Sequence, residues 1–212
     1  TATGHAHAMH EPVAYDRGNS LLQNLIRGDA LIGLVADVPG METQILSSLW
    51  EAAAAGYAPA FRRLAECALS TLQPIGAFDG IFDDDAATRP WSAEAKALEL
   101  EDEQVQTGLR ALLSAYRLGD ESALVAFARL TRQSPEHQPL AAKLLREKTN
   151  ASGAEFSVLG NVLLWLDEKE ESAKVQHRAA ELGNLDAKFE LSLYYGQGLG
   201  VPVDAEKAQQ WL

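Results

Sequence analysis

From Ser20 onward, apolar residues recur at the three- and four-residue spacing of an amphipathic helix, and no segment alternates in the manner of a half-buried strand. Met41 to Ala55 shows the pattern plainly: Ile45, Leu46, Leu49 and Ala53 fall on one face, and Gly56 follows as a left-handed C-cap. Ahead of it, Asn19 or Ser20 can cap "SLLQNLIR", which ends at Gly28, and "DALIGLVADV" runs to the break at Pro39-Gly40. Pro59 to Leu69 makes the next helix, with the proline tolerated in its first turn. Beyond Ser92, "SAEAKALEL" and "DEQVQTGLRALLSAYRLG" fit two helices or one bent helix. Further helices are predicted over Glu121 to Arg132, Leu140 to Lys148, Glu155 to Leu166, Glu170 to Leu182, Asp186 to Tyr195, and from Ala205 on. Helices of this length joined by short turns imply antiparallel hairpins in an all-α fold.

Two stretches break the pattern. Residues 1–18 read as an unstructured arm preceding a helical domain over 19–212. The arm holds His5, His7 and His10, imidazoles of metal-ligand type, but no fourth ligand stands near them, so it reads as inert. Thr71 to Pro90 is a long inserted loop in which Ile75, Phe78, Ile81 and Phe82 interleave with Asp79, Asp83, Asp84 and Asp85. The acids lack the alternating ligands and closing glutamate of a calcium loop, so the expected role is aromatic cover over a core with solvated carboxylates outside.

Aligning the glycines that precede alanine-led helices exposes a repeat. "AAAAGYAPAFRRLA", "SAYRLGDESALVAFA" and "AAELGNLDAKFELS" superimpose without gaps. The shared positions are Gly56, Ala60, Leu64 and Ala65; Gly119, Ala123, Phe127 and Ala128; and Gly183, Ala187, Leu191 and Ser192. A degenerate copy ends at Leu159-Gly160, which sets the period near 32 residues, the signature of helical-hairpin repeats. Small residues at fixed points let helix backbones approach, and a large apolar neighbour fills the adjoining space. One hairpin cannot bury both of its faces, so such units stack.

At the C-terminal end, Gly183, Ala187, Leu191, Tyr195, Gly198, Gly200, Val201, Asp204, Lys207, Ala208 and Trp211 form a pattern that resembles the Sel-one-like repeat, a tetratricopeptide-related α-solenoid. Ser192 stands where that family usually has glycine, and the upstream copies lack the glycine-rich turn. The resemblance implies a right-handed α-solenoid of antiparallel helix-turn-helix repeats. It also implies that "GQGLGV" is the turn between paired helices, with Gly196, Gly198 and Gly200 supplying positive φ and Asp204 capping the second helix. A phosphate cradle would need a preceding strand and a Lys-Ser/Thr pair, and neither is here. In the family pattern the last helix runs beyond Trp211-Leu212, so the chain reads as stopping inside it.

Charge narrows the function. The 212 residues carry a net charge of -12, which argues against nucleic-acid binding and against docking on anionic membranes. The single Cys67 precludes an internal disulfide and reads as a small buried hydrophobe, not a nucleophile. Leu159 to Leu166 is far too short to cross a bilayer. The default location is cytoplasmic; because the chain opens on Thr1, a removed leader and a periplasmic or secreted location stay open. His137 and His177 stand alone, His177 reads as a core or edge packing residue of a repeat helix, and no catalytic motif, metal set or cofactor signature emerges.

The expectation is a non-catalytic scaffold or adaptor for a protein or peptide partner. The alternative is an enzyme or enzyme-accessory protein whose pocket the 71–90 loop completes. In related solenoids the first helix of each pair lines the concave face, which here nominates Arg63, Arg129, Lys188, Glu190 and Tyr194. Arg63 and Glu190 fall at equivalent repeat positions, as do Arg129 with Leu193 and Leu130 with Tyr194. A face carrying Arg, Lys and Tyr on an acidic molecule suits an extended peptide or helix with some acidic character.

Overall fold

The computed structural model describes residues 13–20, 41–69, 89–98 and 103–212. The histidines of the arm, the helices expected over 21–37 and most of the 71–90 loop lie outside them. Every regular element among the described residues is helical, and no described helix is long and apolar enough to cross a membrane. The chain divides into two compact units, Thr1–Asp120 and Glu121–Leu212.

In the first unit, residues 13–20 are helical, with Ala14 and Tyr15 buried and the Tyr15 ring edge-on to Tyr57 at 4.7 Å. The segment expected to be an unstructured arm over 1–18 is therefore helical from residue 13, and Asn19 and Ser20 sit within that helix instead of opening one. Among the described residues four helices follow: α1 (Met41–Ala54), α2 (Ala58–Ala68), α3 (Ala93–Lys96) and α4 (Glu103–Arg117). The stretch that fitted one helix or two is two.

α2 packs against both α1 and α4. Ile45, Leu49, Phe61, Leu64, Leu109 and Leu113 form a fully buried core. A side chain at Gly108 would run into Leu69, and this lets α4 approach the end of α2 closely. Buried Arg110 donates to the carbonyls of Ala95 and Leu98, tying α3 to α4 at 3.1 and 2.7 Å. Trp50, Phe61 and Trp91 cluster at ring distances of 5.0–6.4 Å, and the Arg89 guanidinium lies 4.6 Å from the Trp50 ring.

The second unit runs α5 (Glu121–Leu130), two single 3₁₀ turns (Thr131–Gln133 and Pro135–His137), α6 (Gln138–Arg146), α7 (Gly153–Trp165), α8 (Lys169–Glu181), α9 (Leu185–Gln197) and α10 (Ala205–Gln210). Sequential neighbours pack on one another from α5 to α10, α5 also meets α7, and the α7–α8 contact is the most extensive. Between α7 and α8 the buried layer is polar as well as apolar. Ser172 donates to the Gly160 carbonyl at 2.6 Å, and the Gln176 amide donates to the Ser157 carbonyl and to Asn161. At Gly160 a Cβ would fall 2.6 Å from the Gln176 side chain, so a larger residue there would displace the Gln176 amide.

The repeated turn has one geometry. At Gly56, Gly119 and Gly183 the backbone is left-handed, with φ of 81°, 96° and 85°. Each glycine N–H bonds three residues back, at 2.9 Å in every case. The next N–H bonds five residues back, from Tyr57 to Ala52, from Asp120 to Ala115 and from Asn184 to Ala179. This is the Schellman closure. Asp167, with φ of 63°, makes the same closure without glycine. The aligned Ala60, Ala123 and Ala187 are all fully buried, as are Leu64, Phe127 and Leu191.

The glycine-rich turn is partly as expected. Gly198 and Gly200 have φ of 74° and 68°, and the Asp204 carboxylate caps α10 by accepting from the Lys207 N–H at 3.0 Å. Gly196, however, is an α-helical residue of α9 and does not adopt positive φ.

Candidate protein-binding face

The five nominated residues divide between the units. Arg63 lies on α2, half-buried, and donates to Glu66 at 2.5 Å, one turn on along the same helix. Burial opposes its charge, but the Glu66 carboxylate and the Tyr15 hydroxyl outweigh that and hold the guanidinium above its usual value. Arg129 is exposed in the last turn of α5. Lys188 and Glu190 are half-exposed on α9, and neither takes part in an ion pair among the described residues. Burial, and then the neighbouring Asp186 carboxylate, push the Glu190 carboxyl above the usual range.

Tyr194 does not belong to this face. It is 0% exposed, with its hydroxyl 2.7 Å from the Ser172 Oγ, beneath α9 and against α8. Its position on the helix, 180° from Leu185 at about 100° per residue, turns it into the core. It supports the face from inside and is not available to a partner.

The α9 surface holds something the sequence reading passed over. Leu185 is 75% exposed, Phe189 55% and Leu193 37%, at four-residue spacing on one side of the helix. The opposite side, Ala187, Leu191, Tyr194 and Tyr195, is buried. The signal was present in the sequence, but helical spacing of apolar residues reads equally well as core, and α9 carries two such rows.

Elsewhere in this unit, His177, Tyr195, Lys207, Gln210 and Trp211 line an open cleft of ≈370 Å³. The His177 Nε2 lies 3.0 Å from the Tyr195 hydroxyl, the Trp211 ring packs edge-on to the imidazole at 5.5 Å, and Lys207 rests 5.3 Å from the Tyr195 ring. Burial is the main cause that pulls the His177 imidazole below its usual value. The packing role expected of His177 matches these contacts. Cys67 is buried on α2, and burial, with the Glu66 charge beside it, pushes its thiol up to about 12, leaving almost no thiolate at neutral pH.

No family model, no curated protein and no solved structure matches the chain.

Proposed function

We propose that the chain is a non-catalytic adaptor: a right-handed α-solenoid of antiparallel, Sel-one-like helix pairs that binds a protein or peptide partner on the faces presented by its first helices, α2 in one unit and α5 and α9 in the other. The observation that carries this reading is the recurrence of one turn-and-helix module. The same left-handed turn, buried alanine and buried large apolar residue stand at Gly56, Ala60 and Leu64, at Gly119, Ala123 and Phe127, and at Gly183, Ala187 and Leu191. Modules of this kind bury their inner faces by stacking and leave one side of each first helix free for ligands. On that side the chain offers Arg63, Arg129 and Lys188, cations set into an acidic molecule, together with the carboxylate of Glu190. Such a surface favours a partner segment with acidic character, steered by charge and held by apolar contact.

The test is affinity capture from the native host with the wild-type chain and with Arg63→Glu, Arg129→Glu and Lys188→Glu combined. Loss of the captured partners on charge reversal is the expected result. Retention of the same partners at the same affinity removes this face from consideration.

A further inference from the structure

The apolar row on α9 is not something the repeat requires. By the glycine alignment, Leu185, Phe189 and Leu193 correspond to Glu121, Val125 and Arg129 on α5 and to Ala58, Arg62 and Glu66 on α2. The earlier copies build the same turn and the same buried Ala and Leu or Phe with mostly polar or small residues at these three positions. Only the α9 copy makes them all large and apolar, and all three side chains face solvent. Gly196 lies about 20° around the helix from Leu185, on the same side, with open space where its Cβ would be. Its place in α9 has no turn geometry to account for it, but a backbone could approach closely there.

The edges of the row carry opposite charges. Lys188 lies about 100° to one side of Phe189 and Glu190 about 100° to the other, with Asp186 on the Glu190 edge. None of the three is in an ion pair among the described residues. Burial, and then the neighbouring Asp186 carboxylate, raise the Glu190 carboxyl. A helix that covers this row must therefore present apolar residues along its centre, a cation to the Glu190 edge and an anion to the Lys188 edge. α9 itself has that pattern.

From these observations we infer that α9 pairs in parallel with α9 of a second copy of this chain. A two-fold axis parallel to the helices sets Phe189 on Phe189, Leu185 on Leu185 and Leu193 on Leu193, and brings Lys188 of each copy to Glu190 of the other. An antiparallel pair is disfavoured, because it lays the Asp186–Glu190 edge against its own duplicate, like charge on like. The seam spans a 13-residue helix, so its buried area falls at the small end of specific interfaces, under about 1,200 Å² in total. The pair is accordingly weak and concentration-dependent. This pairing is additional to the adaptor reading and does not depend on it, since no host partner takes part.

Sedimentation equilibrium on the full chain, up to about 1 mM protein and in about 0.15 M salt, tests the inference. Wild type is expected to move from monomer towards dimer across the series. Phe189→Glu should stay monomeric throughout with an unchanged far-UV circular dichroism spectrum, because Phe189 contributes to no core. Lys188→Glu and Glu190→Lys should each weaken dimerisation by about tenfold, while the double exchange restores wild-type affinity. A wild-type chain that remains monomeric at the highest concentration overturns the inference, and so does a Phe189→Glu chain that still dimerises. If the double exchange is as weak as either single change, the parallel arrangement is wrong.

Discussion

Three glycines within five residues, Gly196, Gly198 and Gly200, serve different ends, and the difference is measurable. At Gly200 φ is 68°, and a Cβ would sit 2.0 Å from the Lys169 carbonyl oxygen and 2.8 Å from the Glu170 nitrogen. The turn after α9 is pressed against the start of α8 there, and both obstacles are backbone. Gly200→Ala combines left-handed strain with a forced separation, and should cost about 2–5 kcal/mol. At Gly196 the backbone is helical and the space is empty, so Gly196→Ala should gain about 0.5–1 kcal/mol in dilute solution by restricting the unfolded chain. Urea midpoints for the two variants check both signs. If they prove equal, the contact with Lys169 is not what fixes glycine at 200. The sequence reading assigned positive φ to all three. It was misled at Gly196 because α9 continues two residues past Tyr195, and a glycine in a final helical turn looks no different on paper from one just beyond it.

The elements were legible where an apolar run and a cap agree. α7 is an instance: Ser152 and Glu155 form a reciprocal capping box, the Ser152 hydroxyl accepting from the Glu155 N–H while the Glu155 carboxylate accepts from the Ser152 N–H at 2.7 Å. What the sequence could not show is that the same carboxylate also receives the Lys148 ammonium, which bonds Glu121 at 3.1 Å as well and so ties the segment after α6 to both α5 and α7. Long-range ion pairs leave no periodic trace. Nor does one face of an apolar helix announce whether it is core or open, which is why Tyr194 was placed outside and the Leu185–Phe189–Leu193 row went unremarked.

The Lys148–Glu155 pair makes a pH prediction at the scale of these helices. Burial alone would raise the Glu155 carboxyl; hydrogen bonds from Lys148 and Ser152 overcome it and hold the group below its usual range. Burial would likewise lower Lys148, but Glu155 and Glu121 outweigh it and raise the ammonium. A depressed acid stabilises the fold fully above its unfolded value, about 4.3, and loses that contribution as pH falls through the lower folded value. A raised amine contributes below about 10.4 and loses its contribution as pH climbs through the folded value. Glu155→Gln should cost about 1–3 kcal/mol at neutral pH and flatten the decline of the urea midpoint on the acid side. An acid limb of unchanged slope would mean that other carboxylates govern acid unfolding.

Over the whole molecule, charge imbalance and local ion pairing pull in opposite directions with salt. Twelve uncompensated negative charges in 212 residues repel one another in the folded state more than in an expanded chain. Salt at about 0.1 M shortens the range of that repulsion to about 10 Å and so favours folding. The same salt weakens exposed pairs such as Arg146 with Glu168 and Glu171, at 2.6 and 2.9 Å, and Lys169 with Asp167 at 2.7 Å. Exposed pairs are worth about 0–1 kcal/mol each, and salt removes only part of that. The Lys148–Glu155 pair is largely shielded from solvent, so it is screened least. Repulsion acts among many charges at once, so it should govern the sign. The thermal midpoint is expected to rise by a few degrees between about 10 mM and about 150 mM NaCl, and sodium chloride and potassium chloride should act alike if screening is the cause. A midpoint that falls over that range would mean that the surface ion pairs outweigh the net charge, and that the acidic excess is spread too thinly to strain the fold.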